Sequence, residues 1–186
     1  MPDQSQHGET SWVLENLKPA AGIFCEVGAF DGIMSSNTLL LEELGWFGIC
    51  IEADPFLAAK CHVNRGCKSL CCAVGDPLKQ IPYFHINHED RGLSGFKRES
   101  GQVIPVVVAR LDSILCKREC PDFLSIDTEG TELEVWDTIG DMRPKIVIME
   151  YKTCDEPPND AAIVERMTRD GYKEVHRTPC NIIFTR

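Results

Sequence analysis

The sequence predicts an α/β domain built on a mostly parallel sheet. Strand-like and helix-like runs alternate from end to end. The strand-like runs are almost continuously apolar, as strands covered by helices on both faces must be. The chain closes on two strand-like runs joined by a turn too short for a crossover, so at least one strand is antiparallel.

The elements follow in order. Thr10 to Lys18 reads as a short amphipathic helix capped by Thr10 or Ser11. Gly22 to Val27 reads as a buried strand. Ser35 to Leu44 carries Leu39, Leu40, Leu41 and Leu44 at helical spacing, and Gly45 ends it. Trp46 to Ile51 is a second strand, Phe56 to Asn64 a second helix and Lys68 to Val74 a third strand. Between residues 76 and 110 the rhythm breaks. Ile81 to Ile86 and Val103 to Val108 read there as two strands flanking a polar, glycine-bearing loop, an inserted β-hairpin. Leu111 to Cys116 is a short helix, Phe123 to Ile126 a strand, Glu132 to Ile139 a helix and Lys145 to Tyr151 a strand. Glu156 to Asn159 reads as a loop, Asp160 to Asp170 as a helix, and Tyr172 to His176 and Asn181 to Thr185 as the closing strands.

A chain of 186 residues suits one domain. Residues 1–21 are expected to form an N-terminal helical segment of that domain, and 76–110 its inserted hairpin. At 43% hydrophobic residues there is material for one sizeable core, which argues against disorder. The net charge of −10 repels phosphate backbones and anionic lipid, so neither a nucleic acid nor a membrane is an expected partner. No apolar run approaches the roughly 18 residues of a membrane-spanning helix. The polar start lacks the regions of a signal peptide, so a cytoplasmic location is expected. Of the ten cysteines, Cys25 and Cys50 sit inside apolar strands. Cys67, Cys71, Cys72, Cys116 and Cys120 form no CxxC pair, so free thiols are expected and no metal ligands are assigned.

In open α/β sheets, ligands bind beyond the carboxyl ends of the strands. After the first strand comes Glu26-Val-Gly-Ala-Phe-Asp-Gly32. Its glycines allow a tight turn and close backbone approach. The spacing differs from the GxGxxG of dinucleotide folds, and no P-loop Lys-Ser/Thr follows. Glu26 and Asp31 would repel a pyrophosphate and suit a ligand carrying positive charge. After the second strand, Glu52 stands where a ribose diol is usually held, followed by Ala53. After the third, Ala73 and Val74 flank a place for adenine, with Asp76 able to accept from its amine. After the fourth comes Asp127-Thr-Glu-Gly-Thr-Glu132, a dense acidic site. A glycine turn, a ribose acid, an adenine edge and acids for cationic groups together describe S-adenosylmethionine.

These segments resemble the FkbM family of S-adenosylmethionine-dependent methyltransferases. The likeness also draws on Ser36-Asn37-Thr38, Gly45-Trp-Phe-Gly48, Asn64-Arg65, Leu93-Ser94-Gly95 and Leu111-Asp112. Its anchor is Ser125-Ile-Asp-Thr-Glu-Gly-Thr-Glu132. The resemblance spans about residue 22 to the end. It implies a Rossmann-like seven-stranded methyltransferase sheet and methyl transfer, most often to a hydroxyl of a sugar or small metabolite. It implies that Glu26, Gly28, Ala29, Asp31 and Asn37 line the methionine side of the cofactor. Glu52 would take the ribose, with Ala53 also in the cofactor site, Ala73 and Val74 the adenine, and Asp127 and Glu129 would lie near the methyl.

Methylating a hydroxyl requires a base. The candidates are Asp127, Glu129 and His85, with Asp127 expected mainly to orient and Glu129 to take the proton. The competing role for both acids is capping the following helix, and Glu132 could be a capping residue for Thr128 or Thr131. His85 and His88 on the hairpin could join an acid around a metal, although a solvated loop is the ordinary reading. Arg91 to Phe96 is a candidate lid hinged at Gly92 and Gly95, and Tyr151 could face the acceptor. The alternative function is a non-catalytic protein that binds S-adenosylmethionine or a nucleoside. A nicotinamide oxidoreductase is disfavoured by the missing GxGxxG. Exposed edge strands would allow a homodimer.

Overall fold

A computed structural model of the chain describes residues 2–79, 83–89, 91–96, 101–116, 120–152 and 159–186. Of the sequence features named above, Ile81 and the loop residues 156–158 lie outside these residues.

The chain runs α1 (Glu9–Asn16), β1 (Ile23–Val27), α2 (Leu39–Glu43), β2 (Phe47–Glu52), α3 (Pro55–Asn64), β3 (Lys68–Cys71) and β4 (Ala73–Val74). It continues with β5 (Tyr83–Ile86), a 3₁₀ turn at Arg91–Leu93, β6 (Gln102–Pro105), β7 (Val108–Ala109) and α4 (Leu111–Leu115). The last third holds β8 (Phe123–Ile126), α5 (Glu132–Trp136), β9 (Ile146–Glu150), α6 (Asp160–Arg169), β10 (Lys173–Arg177) and β11 (Asn181–Thr185).

Seven strands form one sheet in the order β10-β11-β9-β8-β1-β2-β3. β11 pairs antiparallel with both β9 and β10, and every other pairing is parallel, so β11 alone runs against the rest. Alternate residues of each strand enter two separate cores. Cys25, Val27, Leu124 and Ile126 pack under α4, α5 and α6. Phe24, Cys50, Phe123 and Ile148 pack with Val13 and Leu41, from α1 and α2. Burial on both faces is why these strands read as unbroken apolar runs.

The chain builds β1, β2 and β3 outward in one direction. It then returns to place β8 on the other side of β1. This reversal opens a crevice beyond the carboxyl ends of β1 and β8, where ligands of such sheets bind. Gly28 makes the close crossing possible. Its φ is +81°, and a Cβ there would stand 1.6 Å from the carbonyl oxygen of Asp127. Only glycine tolerates both conditions.

Three elements differ from expectation. The third strand divides at Cys72: β3 stays on β2, whereas β4 pairs with β7 in a separate two-stranded ladder. The hairpin forms from β5 and β6, with Tyr83 opposite Pro105, but its second strand ends there and Val108 belongs to β7, against β4. α1 begins after Gly8, at φ +80°, and has no side-chain cap. The Thr10 hydroxyl, expected as a cap, instead donates to the Asn37 carbonyl 2.9 Å away. Glu9, fully buried, accepts from Thr178 Oγ1 and Asn181 Nδ2, which clamps α1 to the start of β11. Among the described residues no helix is long and apolar enough to cross a membrane, and the nine described cysteines are free thiols.

Candidate functional site

The crevice contains a cavity of about 300 Å³ lined by the ends of β1, β2, β4, β8 and β9. Gly28 and Ala29 form one wall. Both donate their N–H to the Ile51 carbonyl, which fixes the turn against β2. Ala53, Leu57, Cys72 and Val74 make an apolar side.

Glu52 ends β2 inside this cavity and is 8% exposed. One carboxylate oxygen accepts from Phe30 N–H and the other from Asp54 N–H, each at 2.8 Å. A carboxylate has about four acceptor positions, so two remain for a ligand. Burial pushes its pKa up to about 7, against the pull of those backbone donors.

Glu26 also lines the cavity, yet its carboxylate is occupied by the protein. It accepts from Ser36 Oγ, Asn37 N–H, Thr38 Oγ1 and Arg65 Nη1. Arg65 is itself buried and also binds the Gly32 carbonyl and Glu42. Glu26 therefore organises the turn after β1, and a ligand meets that turn more than it meets the carboxylate. Asn37 serves the same framework: its Nδ2 donates to Ser125 Oγ. Asp31 accepts from the N–H groups of Ile33 and Met34. Neither Asp31 nor Asn37 is among the residues that line the cavity.

The opposite end is acidic. Asp127 and Glu129 follow β8, and Glu150 closes β9. One oxygen from each lies within 4.8 Å of the others. Glu132 holds the loop beneath them by accepting from Thr128 N–H, Thr128 Oγ1 and Gly130 N–H. This agrees with its expected capping link to Thr128. Glu129 adopts φ +56°, a left-handed conformation that costs a non-glycine residue about 1–2 kcal/mol. Such strain gathers at functional sites, where it aims a side chain. Burial raises the pKa values of both Asp127 and Glu150, and for Glu150 the neighbouring carboxylates raise it further.

His85 is placed elsewhere. It lines a neighbouring cavity of about 590 Å³ with Asp76, Arg110 and Glu134. Asp76 lines this second cavity and not the first. His88 pairs with Gln102 at 3.0 Å. The Tyr151 hydroxyl donates to the Thr178 and Pro179 carbonyls and is held away from the cavity. Arg91, Gly92, Leu93, Ser94 and Phe96 do line the main cavity. Arg91 pairs with Asp54 and lies 4.6 Å from the centre of the Phe56 ring, so this segment straps over the Glu52 end. Two functional residues escaped sequence reasoning. Glu150 carries the signal used for Glu52, an acid ending an apolar strand. Arg65 entered only through the Asn64-Arg65 likeness and was given no role, because its partners lie far away in the chain.

The model of the FkbM methyltransferase domain matches residues 26–174, well over half of the chain. The chain belongs to the FkbM methyltransferase family. Solved structures agree on the fold of this FkbM domain. A precorrin-6y C5,15-methyltransferase from Geobacter metallireducens superposes with a TM-score of 0.55 at 13% identity, covering 95% of this chain and 87% of that one. A TehB-like SAM-dependent methyltransferase from Corynebacterium glutamicum gives 0.53 at 11% identity, covering 98% and 89%. Among curated proteins none matches the sequence. By family and fold the chain is a methyltransferase.

Proposed function

We propose that this FkbM domain uses S-adenosylmethionine to methylate a hydroxyl of a sugar or small metabolite. The observation that carries the reading is Glu52, a buried carboxylate with two acceptor positions left over in the cavity. They suit the two hydroxyls of a ribose. Val74 and Leu57 supply an apolar bed for adenine, and the turn at Gly28 the wall for the methionine portion. The acids at the far end favour a cationic group there. When bound, S-adenosylmethionine supplies an electrophilic methyl on a sulfonium leaving group.

The chain then has two tasks. It must hold the acceptor in line with the methyl, which positioning alone accelerates strongly. It must also take one proton from the hydroxyl. Glu129 is the more open carboxylate, as Glu150 is buried. Glu129 is therefore assigned as the base, with Asp127 orienting the acceptor. In an assay of labelled methyl transfer to a panel of sugars and hydroxylated metabolites, the wild type is expected to label at least one hydroxyl. Glu129→Gln should lower kcat about a hundredfold or more while leaving S-adenosylhomocysteine affinity unchanged. An intact kcat with weakened affinity would remove Glu129 from this role.

Glu52 also predicts a pH dependence. A diol donates to the ionised carboxylate, so a bound ligand favours loss of the Glu52 proton. With a pKa of about 7 in the free protein, S-adenosylhomocysteine affinity should rise as pH rises through 7. Below that value it should fall by up to about tenfold per pH unit. For folding the sign is opposite. The Glu52 pKa is raised from 4.5, so its contribution to stability is fullest below 4.5 and is lost as pH rises through about 7. Calorimetric titrations across this range check the first, and a flat profile would contradict it.

A further inference from the structure

The acidic end of the cavity has a feature that methyl transfer alone leaves unexplained. Three carboxylates, from Asp127, Glu129 and Glu150, converge from the ends of two adjacent parallel strands, with oxygens within 4.8 Å of one another. Glu150 is 7% exposed, and its Oε2 is buried without a hydrogen-bond partner. An orphaned carboxylate oxygen costs free energy on the scale of a lost charged hydrogen bond. Among the described residues, no lysine or arginine forms an ion pair with Asp127 or Glu150. Lys152 lines the same cavity and forms none with them.

Like charges this close repel strongly away from bulk water. A single shared proton would relieve a pair, Asp127 with Glu150. It would not involve the third carboxylate, Glu129, whose loop Glu132 pins beside them. A cation relieves all three at once and gives the orphaned oxygen a partner.

We infer that Asp127, Glu129 and Glu150 form a binding site for a divalent cation at the carboxyl ends of β8 and β9. The donors are hard oxygens, which suit Mg²⁺ or Mn²⁺. Oxygens about 2.1 Å from such an ion stand at most about 4.2 Å apart, across it, so the observed cluster closes onto an ion with small side-chain movements. Three protein ligands leave octahedral positions for water and for ligand oxygens. Each residue contributes one oxygen. The cation would lower the pKa of a coordinated hydroxyl. That consequence rests on the methyl-transfer reading, whereas the binding of the cation does not.

The test titrates Mn²⁺ into the full chain and follows the loss of the free-ion signal by electron paramagnetic resonance. Wild type, Glu150→Gln and Asp127→Asn are compared, and S-adenosylhomocysteine binding is measured separately by calorimetry without metal. One saturable Mn²⁺ per chain is expected, displaced by Mg²⁺ and weakened by about tenfold or more in both variants. Mn²⁺ should also raise the Tm of the wild type, and raise that of Glu150→Gln less at the same concentration. Glu150→Gln removes a repelled buried charge, so it should fold at least as stably as wild type without metal. Absence of saturable binding, or binding that neither variant weakens, would overturn the inference. Should S-adenosylhomocysteine bind while Mn²⁺ does not, the cation site falls and the methyltransferase reading stands. The reverse result would separate them the other way.

Discussion

Arg65→Met is expected to destabilise the protein by about 3–5 kcal/mol, the usual cost of stripping one partner from a buried ion pair. Arg65 and Glu26 are 5% and 4% exposed. The guanidinium reaches Glu26, Glu42, Ser36, Thr38 and the Gly32 carbonyl at once, and its plane lies over Phe24. Methionine fills a similar volume but leaves Glu26 charged in a dry core. At this chain length the loss corresponds to a fall in Tm on the order of 10 °C. Arg65→Lys keeps the charge but not the fork, and should recover only part. Adding Glu26→Gln to Arg65→Met should restore stability, because the stranded charge is gone. Chemical denaturation of the four proteins measures this, and a single-variant loss below about 1 kcal/mol would contradict the assigned role.

Glu52→Gln is expected to weaken S-adenosylhomocysteine binding by about a hundredfold. Hydrogen bonds to a charged group are worth about 1.5–3 kcal/mol each, and every 1.4 kcal/mol is a factor of ten. Glutamine keeps one acceptor oxygen but turns an NH₂ toward Phe30 N–H or Asp54 N–H, both of which donate to the carboxylate. The variant removes a charge that burial disfavours, so its Tm without ligand should stay close to wild type. Loss of affinity without loss of stability separates a ligand contact from a structural one.

Glu26 and Glu52 look alike in the sequence, each an acid at the end of an apolar strand. What distinguishes them is Arg65, which stands 39 residues from Glu26 in the chain. Local pattern carries no trace of such a partner. Glu52 meets only backbone donors from its own turn and the neighbouring one, so its acceptor positions stay open. The parallel strands were legible because burial on both faces writes itself as a continuous apolar run, as in the Ile-Val-Ile-Met that opens Ile146–Glu150. The division of the third strand was not, since Ala73 leaves β2 to donate its N–H to Val107 and to stand opposite Val108, from the far side of the hairpin. The cap of α1 failed similarly: Thr10 spends its hydroxyl on a tertiary contact with Asn37. Turn chemistry and strand burial are local and can be read. Partner choice among polar groups is long-range and needs the fold.

A crystal structure with S-adenosylhomocysteine tests the reading most directly. Both ribose hydroxyls should rest on Glu52, with the adenine against Val74 and the sulfur toward Asp127 and Glu129. A ligand seated in the cavity beside His85, or a sugar that leaves Glu52 untouched, would contradict it.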